Sequence, residues 1–293
     1  MSEVQTGETM RTETFHAPDG VRLTADVDGP DGAPTVILMH GGGQTRHSWS
    51  GAMRALVARG YRVINYDARG HGESDWSDAG AYMLDDRVDD LRAIVARLDV
   101  PYALVGASLG GATSIHAVAQ GLRPAAVVLV DIVPNAEPEG VQRIVGFMRG
   151  HVDGFGSIEE AADAVAAYNP ARRRPRDPTG LMRNLRLRDD GRLYWHWDPQ
   201  IVATDPEHHH RIVVASAQEM ARQRDLPIMV VRGLRSDVVS EAGVAAFRSL
   251  VPQLEVVNVA GAGHMVAGDR NDAFNAGVLE FLARAMPVDA FRP

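Results

Sequence analysis

Cysteine is absent from the 293-residue sequence. That excludes disulfides, thiolate nucleophiles and cysteine-ligated metals. It suits a reducing compartment, so a cytoplasmic location is expected. Basic charge is not in excess either: 30 Lys and Arg stand against 38 Asp and Glu, a formal net charge of −8. Nucleic acids and anionic membranes select basic surfaces, so neither is expected as a partner. The one basic cluster, Arg172 to Arg174 with Arg176, is short and reads as a solvated loop. No stretch approaches the ~18 consecutive apolar residues of a membrane-crossing helix. The first ten residues are polar and acidic with no apolar run, the pattern of a frayed tail rather than a signal peptide.

What is present is a 45% hydrophobic composition, enough for a sizeable core. Arg11 to His16 and Val21 to Val27 flank Pro18-Asp19-Gly20 and predict an antiparallel edge hairpin. Thr35 to Met39, Tyr61 to Tyr66, Tyr102 to Val105, Ala126 to Val130, Leu226 to Val231 and Leu254 to Val259 read as further strands. Several are continuous apolar runs, as strands covered on both faces should be. Leu84, Val88, Leu91, Ile94, Val95 and Leu98 fall at helical spacing, as do Val278, Leu279, Phe281 and Leu282. Strands alternating with helices predict an α/β fold: a mostly parallel, twisted, eight-stranded sheet with helices on both faces. From Pro134 the pattern changes to helical fragments, polar loops and aromatics. We therefore expect a core of residues 1–133 and 226–293, with 134–225 an inserted helical cap.

Open parallel sheets place their sites at the carboxyl ends of strands. His40-Gly41-Gly42-Gly43, Asp67, Ser108, Asp131, Asp237 and His264 all fall there. Ser108 is the centre of Gly106-Ala107-Ser108-Leu109-Gly110, between a buried strand and a helix that ends at Gly121. Glycines two before and two after the serine allow strand and helix to approach closely, which sets the hydroxyl on an exposed, strained corner. The helix N-terminus adds N–H groups and a positive dipole end.

These residues resemble the α/β-hydrolase fold family. The matching pieces are His40-Gly41-Gly42, Asp67-Ala68-Arg69-Gly70-His71-Gly72-Glu73-Ser74, Gly106 to Gly111, Arg235-Ser236-Asp237 and Gly261-Ala262-Gly263-His264. The pattern is similar to the serine-nucleophile branch near epoxide hydrolases, cofactor-free haloperoxidases and small-molecule esterases. With serine at 108 rather than aspartate, epoxide and haloalkane chemistry is disfavoured.

The resemblance implies Ser108 as nucleophile and His264 as its base. The third member is expected to be Asp237, from the Arg-Ser-Asp segment after the returning strand, with Asp131 as the rival. A carboxylate there would fix the imidazole tautomer and stabilise its charged form. The backbone N–H groups of Gly42 and Leu109 are the expected oxyanion donors, and the sequence does not separate Gly42 from Gly43. His40 reads as a brace for the glycine loop, His71 as part of a structural loop and Asp67 as a loop acceptor. His208 to His210 point in different directions on a helix, so no metal is expected, and no cofactor is expected either. Trp49, Phe147, Tyr194 and Trp197 are candidates for a substrate pocket.

The leading expectation is a serine hydrolase cleaving a carboxylic ester or related acyl bond of a small hydrophobic substrate. Carbon–carbon bond hydrolysis, lactone opening and perhydrolysis use the same three side chains, and a non-catalytic small-molecule receptor can share the fold. A homo-oligomer is compatible with the sequence, which does not select one.

Overall fold

The computed structural model describes residues 10–170, 174–203, 205–264 and 271–291. The expected tail, except Met10, and Arg172 and Arg173 of the basic cluster lie outside them. The chain opens with the hairpin β1 (Arg11–His16) and β2 (Arg22–Asp28), antiparallel with Thr14 opposite Thr24. There follow β3 (Thr35–Met39), α1 (Ser50–Val57), β4 (Arg62–Tyr66) and α2 (Leu84–Val95). Next come β5 (Tyr102–Ala107), α3 (Leu109–Ala119) and β6 (Ala126–Val130). After β6 the chain leaves the sheet through α4 (Pro138–Arg149), α5 (Ile158–Tyr168), β7 (Leu185–Leu187), β8 (Leu193–Trp195) and α6 (Pro206–Met220). It returns as β9 (Ile228–Gly233), α7 (Glu241–Leu250), β10 (Glu255–Val259) and α8 (Asn271–Ala285).

Eight strands form one sheet in the order β1-β2-β4-β3-β5-β6-β9-β10. The hairpin joins antiparallel to β4, and the rest of the sheet is parallel. Side chains alternate across it as the pleat requires. Val36 and Leu38 of β3 face α1 and α8, packing with Met53, Leu56, Phe281 and Leu282. Ile37 and Met39 face the other side, with Val88, Leu91 and Ile94 of α2. Apolar residues on both faces explain why β3 and β6 read as unbroken hydrophobic runs.

α3 ends in the left-handed turn expected at Gly121, where φ is +100°. Leu122 N–H donates to Ala117 O at 3.0 Å and Gly121 N–H to Val118 O at 3.2 Å, satisfying the last carbonyls of the helix.

The excursion between β6 and β9 holds a feature its sequence did not announce. β7 and β8 form a short antiparallel hairpin, Leu185 opposite Trp195 and Leu187 opposite Leu193. Three-residue strands give too few alternations for periodicity to register. The hairpin stays in place by burying Leu185, Leu193 and Trp195 with Tyr82, Phe155, Trp197 and Ile201. α6 packs elsewhere: Val213, Ala217 and Met220 join Ile115 and Val118 of α3 in the core.

Candidate active site

Ser108 stands between β5 and α3 with φ +44° and ψ −108°. The glycines around it show why the turn is possible. A side chain on Gly106 would collide with the Gly110 backbone, one on Gly110 with Met39, and one on Gly111 with Ile132. Ser108 N–H donates to Val130 O at 3.0 Å, and Asp131 N–H donates to Val231 O at 2.8 Å. The sheet ladder thus carries Ser108 and Asp131 to neighbouring strand ends. Asp131 also has a positive φ, +50°, and is fully buried.

The Asp131 carboxylate takes three donors. Oδ1 accepts from Gly233 N–H at 3.0 Å. Oδ2 accepts from the Ser236 hydroxyl and, at 2.7 Å, from His264 Nδ1–H. The loop after β10 is held so that this happens. Arg235 N–H donates to Ala262 O at 2.9 Å, and Gly233, lacking a side chain, lets the Ala262 and Gly263 carbonyls lie against it.

The carboxylate brought to the imidazole is that of the rival, Asp131, and not that of the expected Asp237. Asp237 does not face the imidazole: its Oδ2 pairs with Arg143 Nη1 of α4 at 2.9 Å. The physical reason lies in the 235–239 turn. Gly140 allows α4 to press onto the Asp237 carbonyl. Ser236 turns inward to Asp131 and also accepts from Val238 and Val239 N–H, each at 3.1 Å. Asp237, next along, points outward. Ser236 was present in the sequence pattern without a role of its own. Here its hydroxyl braces the acid.

With Nδ1–H committed to Asp131, Nε2 is the His264 nitrogen free to take a proton. The glycine loop offers the other half of the site. Gly41 N–H donates to Gln44 Oε1 at 3.1 Å, and Gly43 N–H donates to His71 Nε2 at 3.1 Å. Among the described residues the Gly42 N–H has no such partner. Leu109, at the first helical position, likewise has no carbonyl one turn behind it to receive its N–H. A side chain begun on Gly42 would meet Leu109 Cδ2 at 3.9 Å, and one on Gly41 would meet Ser108 Cβ at 3.5 Å. The loop thus brings Gly42 beside Leu109 and Gly41 beside Ser108, while the Gly43 N–H is engaged on His71.

Three buried imidazoles surround this loop, His40 to His71 at 5.0 Å between ring centres and His71 to His196 at 5.9 Å. Each accepts a backbone N–H, so each is neutral. His40 Nε2 accepts from Ala68 at 2.9 Å and His196 Nδ1 from Gly72 at 2.8 Å, while His71 holds Gly43. Burial is the main cause that pushes all three below the ordinary histidine range, His196 to about 3. Around His196, neighbouring His40 and Arg186 push the same way and Asp67 opposes.

The sign of the linkage follows. The unfolded chain binds a proton near pH ~6.5, the folded chain only near 3, so stability held above ~6.5 is lost progressively as pH falls. We expect the melting temperature to drop from pH 7 to pH 4. The slope should be shallower for His196→Asn, whose Oδ1 can replace the Nδ1 acceptor without titrating. Equal slopes would assign the acid sensitivity to other groups.

Asp67, as expected, is a loop acceptor: fully buried, it receives Arg46 N–H at 2.7 Å and Glu73 N–H at 3.0 Å and pairs with the Arg46 guanidinium. Trp49 is not a pocket residue but lies in the core beneath the sheet. Among the described residues no three His, Asp or Glu side chains are grouped to hold a metal ion. None of the described helices is long and apolar enough to cross a membrane.

A family model for the alpha/beta hydrolase fold matches residues 34–270. The chain belongs to the α/β-hydrolase fold family. It is 30% identical over 250 residues to the esterase Rv0045c of Mycobacterium tuberculosis, spanning 81% of this chain and 79% of that protein. It is 27% identical over 274 residues to the sn-1-specific diacylglycerol lipase ABHD11 of Mus musculus, spanning 88% and 83%. An α/β hydrolase from Novosphingobium aromaticivorans has a similar structure, with a TM-score of 0.78 at 25% identity over 95% of this chain and all of that one.

Proposed function

We propose that the chain is a serine hydrolase that cleaves a carboxylic ester of a small hydrophobic substrate through an acyl-enzyme. The observation that carries this reading is the 2.7 Å bond from His264 Nδ1–H to Asp131. It leaves Nε2 to act as the base at the end of the sheet where Ser108 sits, the end that also carries the Gly42 and Leu109 N–H groups, for which the described residues offer no partner.

In the first half-reaction His264 Nε2 takes the Ser108 proton as Oγ attacks the ester carbonyl. The negative oxygen of the tetrahedral intermediate is received by the Gly42 and Leu109 N–H groups. Asp131 stabilises the imidazolium and keeps its tautomer. The imidazolium returns its proton to the departing alcohol. Water then repeats the sequence on the acyl-enzyme, releasing the acid and restoring Ser108.

In this reading the insert acts as a cap that brings apolar side chains to the glycine loop. Met148 Sδ lies 3.5 Å from where a Gly42 side chain would begin, and Trp197 lies 3.4 Å from the same point on Gly43. Both also line a cavity of about 290 Å³ within the insert, with Trp195, Tyr194, Arg149, His151 and Arg188; Ser108 and His264 are not part of its lining. Trp195 and Trp197 stack at 4.8 Å. Met148 and Trp197, lying against the glycine loop, suit an apolar acyl or alcohol group. The esterase and lipase relatives favour the ester over the other bonds that the same three side chains can cleave.

A fluorophosphonate probe tests the assignment. We expect one covalent adduct per chain, on the peptide containing Ser108, formed in step with loss of p-nitrophenyl butyrate hydrolysis. Loss of activity with the adduct on another residue, or no adduct at all, would refute it.

A further inference from the structure

The loop that carries Gly42 is not self-supporting. His71 Nε2 accepts the Gly43 N–H at 3.1 Å, and its Nδ1–H donates to Arg69 O at 3.1 Å. On the far side of the same peptide unit's residue, His196 Nε2 lies 3.4 Å from Gly43 O. Gly43 is therefore flanked by two imidazoles from different parts of the chain, in a left-handed conformation with φ +71°.

The loop bearing His71 is in turn gripped by the insert. His196 Nδ1 accepts Gly72 N–H at 2.8 Å, and Arg186 of β7 donates to Gly72 O. Asp198 N–H donates to Gly70 O at 2.9 Å, and its carboxylate accepts from the Tyr82 hydroxyl at 2.5 Å. The β7–β8 hairpin and the residues after it thus hold both backbone groups of Gly72, one residue from His71. His71 then holds Gly43, one residue from Gly42.

We propose that His71 and His196 are positioning residues for the oxyanion loop: His71 ties up the Gly43 N–H, and His196, delivered by the insert, fixes Gly72 and Gly43, so that the Gly42 N–H faces Ser108. This rests on the reading of Gly42 as an oxyanion donor. It makes the shape of the catalytic loop depend on an element 153 positions away in sequence, and it gives the buried imidazoles a task beyond packing. An unpaired Gly43 N–H would otherwise compete with Gly42 for the same oxygen, or leave a partly buried donor unsatisfied.

Two measurements on the full-length protein test this. In steady-state hydrolysis of p-nitrophenyl butyrate, His71→Leu and His196→Leu should each lower kcat about 10–100-fold with KM within ~3-fold, as expected for a misaligned oxyanion donor. His71→Gln, which can place an oxygen near Nε2, should recover most of the loss. His196→Asn, which places one near Nδ1, should recover more than His196→Gln, which does not. That last pair keeps the test open if the leucine variants fail to fold, because both are polar and differ only in where the acceptor sits.

Hydrogen exchange followed by mass spectrometry reads the loop independently of catalysis. Peptides spanning 40–46 should exchange faster in His196→Gln or His196→Leu, with β5 unchanged. Unchanged exchange there would overturn the clamp. Faster exchange with unaltered kcat, a loss confined to KM, or equal activity of the Asn and Gln variants would overturn the positioning role. If Ser108→Ala keeps full activity, the catalytic reading fails first, and the exchange result still decides whether the clamp exists.

Discussion

With p-nitrophenyl butyrate, Ser108→Ala is expected to lose about 10⁴–10⁶ in kcat, with KM little changed. The residual rate comes from the oxyanion donors and from binding, which the substitution leaves in place. Ser108→Gly should be as inactive but more stable than wild type by about 1 kcal/mol, because the serine is held at φ +44°, a conformation that glycine adopts without strain. Thermal unfolding of the three proteins checks this. Alanine keeps the strained backbone and should melt near wild type, whereas glycine should melt higher. Equal hydrolysis by wild type and Ser108→Ala would remove Ser108 from the mechanism.

The second large effect separates two aspartates. Asp131→Asn is expected to lower kcat about 10³–10⁴-fold, as removal of a triad carboxylate does through the wrong tautomer. The amide oxygen can still accept from Gly233 N–H. Its NH₂ group then faces His264 Nδ1 and donates to it, which puts the ring proton on Nε2, where a base needs a lone pair. Asp237→Asn should change kcat by less than ~3-fold. It breaks only a partly exposed ion pair with Arg143, worth under about 1 kcal/mol. The opposite ranking would restore Asp237 as the acid.

The two aspartates show where reading the sequence stops. β3 and β6 were visible with their ends because both faces of each strand are buried. The serine turn was visible because only glycine fits at 106 and 110. The choice between Asp131 and Asp237 was not, because it depends on which way two side chains leave their loops. At Asp131 that direction is set by a left-handed backbone. At Asp237 it is set by Gly140 on a helix nearly a hundred residues earlier, a contact with no local signature. Which of Gly42 and Gly43 keeps its N–H unengaged depends in the same way on His71, 28 positions on. His196 sits in a Trp-His-Trp-Asp segment whose aromatics hinted at a pocket, while the imidazole between them turned to the backbone of another loop.

The most direct measurement is a crystal structure of the protein phosphonylated on Ser108. The account predicts the phosphonyl oxygen within about 2.7–3.1 Å of both Gly42 N and Leu109 N, with His264 still donating from Nδ1 to Asp131. An oxygen lodged on Gly43 N–H, or an imidazole swung to Asp237, would contradict it.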